Sequence, residues 1–73
     1  MEVRRRVGIN VKRYREERRF SQEDLAFESG LHRTYISGVE RGIRNPTVLV
    51  LEKISGALKV SSADLLVEPK RLR

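Results

Sequence analysis

Four side chains that donate or accept hydrogen bonds lie within five positions, in the stretch SGLHRTYISGVERG, residues 29–42. They are Arg33, Thr34, Tyr35 and Ser37. A guanidinium group is a rigid fork of donors that suits a planar or anionic partner, and hydroxyl groups both donate and accept. These residues therefore indicate recognition of a partner through hydrogen bonds.

The chain as a whole carries an excess of positive charge. Its 73 residues include 16 Lys plus Arg against 10 Asp plus Glu, and eight of the basic residues fall within the first 19 positions. The net charge of +6 indicates a polyanionic partner, nucleic acid first and an anionic membrane surface second. A solvated basic face is the alternative. Two Tyr and two Phe are too few for a protein that stacks successive single-stranded bases on aromatic rings.

Length and composition limit the class of protein. The chain suffices for one domain, residues 1–73, with a modest core. It has no cysteine, no apolar run that could span a membrane and no signal peptide, which together predict a cytoplasmic protein. One histidine, no cysteine and no glycine-rich phosphate loop argue against an enzyme, a metal site, a cofactor or a small-molecule ligand.

The apolar spacing is helical throughout, and Gly30, Gly42 and Pro46 divide it. Five helices are predicted: one within residues 7–19, three capped by a Ser or Thr, and one over about residues 33–41. The predicted caps are Ser21 with Asp24, Thr47, and Ser61 with Asp64. The residues predicted to face the core are Val7, Val11, Tyr14, Leu25, Ala26, Ile36, Val39, Val48, Leu51, Ile54, Ser55, Leu58, Leu65 and Leu66. Gly56 is expected to allow close helix packing, and residues 69–73 to form a basic tail.

The second and third helices are joined by about three residues, which predicts a helix-turn-helix unit over about residues 22–41. On a helical wheel Ile36 and Val39 face inward. The residues that face outward on the third helix are Thr34, Ser37, Gly38 and Arg41, with Arg33 on the flank of the first turn. This small, polar and basic face is suited to the major groove of DNA.

Two charged residues fall on inward-facing positions. Glu40 lies on the inner face of the third helix, and Arg15 lies four residues after Val11 on the first. Because an unpaired buried charge is costly, we expect them to pair and to connect the two helices. Two exposed charges at a helix edge are the alternative.

The stretches SQEDLAFESGLHRTYISGVERGIRNP and LVLEKISGALKVSSADLL resemble the helix-turn-helix domains of the lambdoid phage repressors and Cro, the XRE family. The resemblance covers roughly residues 7–67 and implies an all-α, compact, five-helix, lambda-repressor-like DNA-binding domain. The residues at the spacings of the motif are Gln22, Ala26, Gly30, Ile36 and Val39. The segment RTYISGVERGIRNP is most similar to restriction-modification controller proteins, and prophage-type repressors and antitoxins share much of the pattern.

The resemblance also implies roles for individual residues. Base reading falls to Arg33, Thr34 and Ser37, with Tyr35 near the backbone or a thymine methyl group. The residues implied to bind phosphate are Gln22, Arg41, Arg44 and Asn45. His32 stands where Ser or Thr usually caps the third helix, so it is read as a substitute cap or a phosphate contact. Gly38 replaces a side chain that often contacts a base, so that contact is lost or passes to a neighbour.

Apolar residues are in surplus on the C-terminal third. Leu49 and Val50 precede Leu51, and they cannot all point into one small core. Together with Ala57 and Val67 they predict a self-complementary patch, a homodimer and a binding site of inverted symmetry on double-stranded DNA. Two alternatives remain. One is an antitoxin that uses the same fold to bind a protein. The other is non-specific binding of RNA or an anionic membrane, with Val7, Val11 and Tyr14 as the inserted face.

Overall fold

The computed structural model describes residues 1–69, and within that range it contains five helices and no strand. They are α1 (Val3–Glu17), α2 (Gln22–Ser29), α3 (Arg33–Glu40), α4 (Val48–Leu58) and α5 (Ser62–Leu66). The predicted all-α, five-helix class is confirmed. Of the predicted basic tail, residues 70–73 lie outside the described part of the chain. No helix of the described range is long and apolar enough to cross a bilayer.

The helices begin where cap chemistry allows. The hydroxyl groups of Ser21 and Ser61 each accept a hydrogen bond from the backbone N–H three residues later, and the carboxylates of Asp24 and Asp64 each accept one from the backbone N–H of the capping serine. The hydroxyl group of Thr47 accepts from the Val50 N–H at 3.2 Å. All three predicted caps are confirmed. The first helix starts at Val3, ahead of its predicted segment, because the Glu2 carboxylate caps its N-terminus.

Ten apolar side chains from all five helices form the core. They are Val7, Val11, Leu25, Ala26, Ile36, Val39, Leu51, Ile54, Leu58 and Leu65. Two predicted core residues are instead exposed, Val48 at 84% and Leu66 at 42%. Val48 is the first residue of α4, where no neighbouring helix covers it, and Leu66 lies about 100° around α5 from the fully buried Leu65.

The N-terminal half of α1 packs closely against the end of α3. A Cβ atom added at Gly8 would overlap the carbonyl oxygen of Val39 and lie 2.7 Å from that of Glu40. A Cβ atom added at Gly42, which follows α3 with a φ of 76°, would lie 3.3 Å from the Cα atom of Arg5, a tight contact. The two helices can therefore meet at this distance only where a side chain is missing.

A buried asparagine on α1 connects this helix to the end of α5. The Asn10 side chain is fully buried, and its Nδ2 donates to the carbonyl oxygens of Leu65 at 2.9 Å and Val67 at 2.7 Å. These bonds satisfy carbonyl groups at the end of α5, which that short helix leaves without partners. Asn10 thus joins the last described helix to the first.

Gly56 does not have the role predicted for it. Nothing lies within 4 Å of a Cβ added at this position of α4, so the expected close helix packing is wrong. The residue is exposed, and it costs the helix about 1 kcal/mol relative to Ala without a packing contact in return.

The two glycines should respond in opposite ways to a methyl group. Gly8→Ala should lower the free energy of unfolding by roughly 2–3 kcal/mol, because backbone oxygens of α3 cannot move aside cheaply. Gly56→Ala, the matched control, should raise it by up to about 1 kcal/mol through helix propensity. Urea unfolding followed by circular dichroism measures both. Equal effects would contradict the close approach of α1 and α3.

Candidate nucleic-acid interface

The turn between α2 and α3 fixes the outer face of α3. Gly30 ends α2 in the left-handed conformation with a φ of 74°, and the Leu31 N–H returns to the Ala26 carbonyl at 3.0 Å. Ile36 and Val39 of α3 are buried together with Leu25 and Ala26 of α2. Because its inner face is held in the core, α3 presents a defined set of side chains outward.

Those outward side chains form a shallow groove with the start of α2. Arg33, Thr34 and Arg41 are exposed and Ser37 is half-buried. These four residues and Gln22 line one cleft. The structure therefore brings together five of the residues predicted to contact DNA, all with hydrogen-bonding groups.

Gly38 differs from the wheel prediction. Gly38 was expected to face outward, but it is buried, because the side chain of Arg44 lies across it. A Cβ at Gly38 would be 2.6 Å from the Arg44 Cγ, and the Arg44 guanidinium lies 5.6 Å from the centroid of the Tyr35 ring. Tyr35 itself is half-buried against the core. The surface at Gly38 is thus supplied by a residue that follows the helix.

His32 occupies the N-cap position of α3, yet its side chain makes no cap hydrogen bond. Its interpretation as a substitute cap is therefore wrong, and its exposed imidazole leaves the phosphate contact as the remaining interpretation. Asn45 is also exposed, in the loop between α3 and α4.

Arg15 and Glu40 form a bidentate ion pair between α1 and α3. The Arg15 Nε donates to Glu40 Oε2 at 2.6 Å and Nη2 donates to Oε1 at 3.1 Å, while Nη1 donates to the Phe20 carbonyl at 2.7 Å. The side chains are only 11% and 4% exposed. The hydrogen bonds to Glu40 raise the pKa of Arg15 above its ordinary value, so the guanidinium stays charged across neutral pH.

Gln22 is a third member of this network, which the sequence did not reveal. Its Nε2 donates to Glu40 Oε1 at 3.0 Å, the same oxygen that accepts from Arg15. Gln22 opens α2 and Glu40 ends α3, and no spacing rule links two residues 18 positions apart on different helices.

The fold and the groove define a helix-turn-helix domain. A family model described as Helix-turn-helix (HTH_3) matches residues 11–65. The chain belongs to this helix-turn-helix family, of the XRE type.

Three known proteins show the similarity. Control protein C.BamHI of Bacillus amyloliquefaciens is 63% identical over 46 residues, which cover 63% of this chain and 57% of that protein. The crystal structure of the restriction-modification controller protein C.AhdI from Aeromonas hydrophila has 39% identity, a TM-score of 0.82, and coverage of 85% of this chain and 94% of that one. The structure of SinR, the master regulator for biofilm formation, in complex with DNA has 39% identity and a TM-score of 0.80, and covers 84% and 98%. The same regulator is known from Bacillus subtilis.

The buried pair should show strong energetic coupling. Glu40→Ala leaves Arg15 buried without its partner, which can cost roughly 3–5 kcal/mol. A double-mutant cycle of Arg15→Ala and Glu40→Ala should give a coupling of about 1–3 kcal/mol in urea unfolding. The Arg13–Glu17 pair, at 4.0 Å on the surface of α1, is the matched control and should give about 0.5 kcal/mol or less. Similar coupling in both cycles would contradict a structural role for the buried pair.

Proposed function

We propose that this protein is a sequence-specific transcriptional regulator that binds double-stranded DNA through α3. The observation that carries the proposal is the groove of Arg33, Thr34, Ser37, Arg41 and Gln22 on a helix whose opposite face is locked in the core. Exposed donors and acceptors on a rigidly held helix suit the edges of bases in a major groove.

The relatives support this proposal, and they also support a narrower assignment to the restriction-modification controller proteins. SinR, whose fold this chain shares, has been crystallised with DNA. C.BamHI and C.AhdI are named as controllers, and none of the three relatives is named as an enzyme. We therefore assign the chain to the restriction-modification controllers within its family, although it spans just over half of the length of C.BamHI. These proteins come from bacteria, whose DNA lies in the cytoplasm, and we place the chain there.

The proposed roles of the residues follow their positions. Arg33, Thr34 and Ser37 read base edges, and Tyr35 lies beside them under the Arg44 guanidinium. The residues proposed to hold phosphate groups are Gln22, His32, Arg41, Arg44 and Asn45. A guanidinium can contact guanine O6 and N7 at once, so Arg33 is the strongest candidate for discrimination between bases.

A homodimer is the assembly that the exposed apolar residues favour. Val48 and Leu49 are exposed on the first turn of α4, and Leu66 and Val67 are exposed at the end of α5. We propose these four residues as the centre of a two-fold interface, bordered by Val50 and Ala57. The structure shows both bordering residues packed against the protein's own core. Two recognition helices about 34 Å apart would then fit successive major grooves of an inverted repeat.

The alternatives receive less support. Membrane insertion through α1 requires Val7 and Val11 on the outside, and both are buried. An antitoxin or a repressor with a protein partner requires a second exposed apolar surface. Phe27 on α2 is exposed, in a different cleft with Arg18 and Phe20. The other exposed large apolar residues of the described range outside the proposed interface, Met1, Val3 and Ile43, do not line that cleft, and apolar residues exposed singly are normal for a protein surface.

Selection of binding sites from random duplex DNA tests the proposal. The selected sequences should form an inverted repeat. On that site Arg33→Ala should lose about 1–3 kcal/mol per subunit and relax the preference at one base pair of each half-site. Arg44→Ala is the comparison: as a phosphate contact it should weaken all duplexes alike and flatten the dependence of log K on log salt. Equal weakening of cognate and random DNA by Arg33→Ala would make Arg33 a phosphate contact.

The dimer can be tested at an exposed position that leaves the core intact. Leu49 is 68% exposed, so Leu49→Glu should give a helical monomer that binds the full site much more weakly. Phe27→Glu, at 83% exposure, adds the same charge outside the proposed interface and should remain a dimer. Analytical ultracentrifugation at micromolar concentration and titration with the full site measure both. A wild-type monomer with full affinity for one half-site would contradict the proposed assembly.

A further inference from the structure

Gln22 lies between a buried ion pair and an exposed groove. On one side its Nε2 donates to Glu40 Oε1 at 3.0 Å, and that carboxylate is held by the Arg15 guanidinium. On the other side Gln22 lines the cleft with Arg33, Thr34 and Ser37. Its amide is thus the link between the internal network and the surface proposed to meet DNA.

The hydrogen-bonding chemistry of the Gln22 amide and the Glu40 carboxylate favours one orientation of that amide. A glutamine amide has an oxygen that only accepts and a nitrogen that carries two hydrogen atoms. An ionised carboxylate only accepts, so it holds the nitrogen end and repels the oxygen end. One N–H of the Gln22 amide donates to Glu40. The other N–H is left for a further acceptor, and the first hydrogen bond holds their shared nitrogen in place.

The position of Glu40 is otherwise unfavourable for a protein that binds a polyanion. A carboxylate beside the groove repels phosphate, although burial and pairing with Arg15 reduce that effect. A neutral residue would avoid the repulsion, but a neutral amide could present either end to Gln22. The carboxylate therefore contributes a fixed orientation that a neutral side chain would lose.

We infer that Glu40 is a positioning residue for DNA binding: by holding the Gln22 amide, it keeps the second N–H of that amide available to a DNA phosphate. The inference rests on the proposed function, because it needs Gln22 to contact DNA. It predicts a change in DNA affinity opposite in direction to the one expected from charge alone. Removal of the negative charge at Glu40 should weaken DNA binding, whereas simple electrostatics predicts stronger binding, most of all at low salt.

The test is a double-mutant cycle in affinity for the selected duplex, measured by fluorescence anisotropy at a temperature where every variant is folded. Gln22→Ala and Glu40→Gln should each weaken binding about 10- to 150-fold per subunit, the effect of one hydrogen bond to a charged group. The double variant should bind no more weakly than Gln22→Ala alone. Ile54→Val, a core change outside the network, lowers stability and should leave the affinity unchanged.

The outcomes separate this inference from the proposed function. A wild-type protein without preference for any duplex would overturn the proposed function itself. If the wild type binds its selected site, this inference alone is overturned by equal or tighter binding of Glu40→Gln or by additive losses in the double variant. Full affinity of Gln22→Ala overturns it together with the phosphate contact proposed for Gln22, while the proposed regulator stands.

A measurement on the wild type covers the case in which Glu40→Gln does not fold. Gln22 is the single glutamine of the chain, so its side-chain amide resonances can be assigned in a labelled sample. In the free protein the Gln22 hydrogen atom that is bonded to Glu40 should exchange with solvent more slowly than those of Asn45, an exposed amide in the adjacent loop. Both Gln22 amide resonances should also shift when the duplex is added. Exchange as fast as that of Asn45 would overturn the inference.

Discussion

The close approach of α1 to the end of α3 is the constraint on which the rest of the structure depends. Gly8 permits it, because any larger residue would meet the carbonyl oxygens of Val39 and Glu40. Arg15 lies seven residues further on, two turns along the same face, and meets the Glu40 side chain there. The direction of α3 is therefore set by α1 as well as by α2. A helix-turn-helix pair alone would leave it less restricted.

The ion pair contributes geometry more than net stability. Two charges removed from water lose several kcal/mol of solvation each, and apolar replacements of buried pairs are often equally stable. Here each charge is compensated by hydrogen bonds to several neighbouring groups. The guanidinium of Arg15 bonds to both oxygens of Glu40 and to the Phe20 carbonyl, and Gln22 adds a further donor to the carboxylate. Such a bidentate pair fixes both the distance and the rotation between two helices, which contacts between apolar side chains do not.

What could be predicted from the sequence was mostly local. Ser21 with Asp24 and Gly30 act within a few residues of their own positions, so cap chemistry is readable along the chain. The pairing of Arg15 with Glu40 could also be predicted from the sequence, because two buried charges of opposite sign need partners. Gly8 and Asn10 were not, since their roles depend on backbone groups 31 to 57 residues away. A glycine and an asparagine within a helix look like weak positions until those partners are known.

The predictions of which residues face the core or the solvent failed at the first turn of one helix and at a place where the chain returns over another. At Val48 the apolar pattern was right in phase, but the first turn of α4 has no neighbour to cover it. At Gly38 the position faces away from the core, yet the chain turns back after Gly42 and lays Arg44 across it. Two backbone bonds hold that return, since the N–H groups of Ile43 and Arg44 both donate to the Gly38 carbonyl, at 2.9 and 3.2 Å. The exposed surface of α3 is consequently a composite of the helix and the loop that follows, and the loop conformation determines it as much as the helix does.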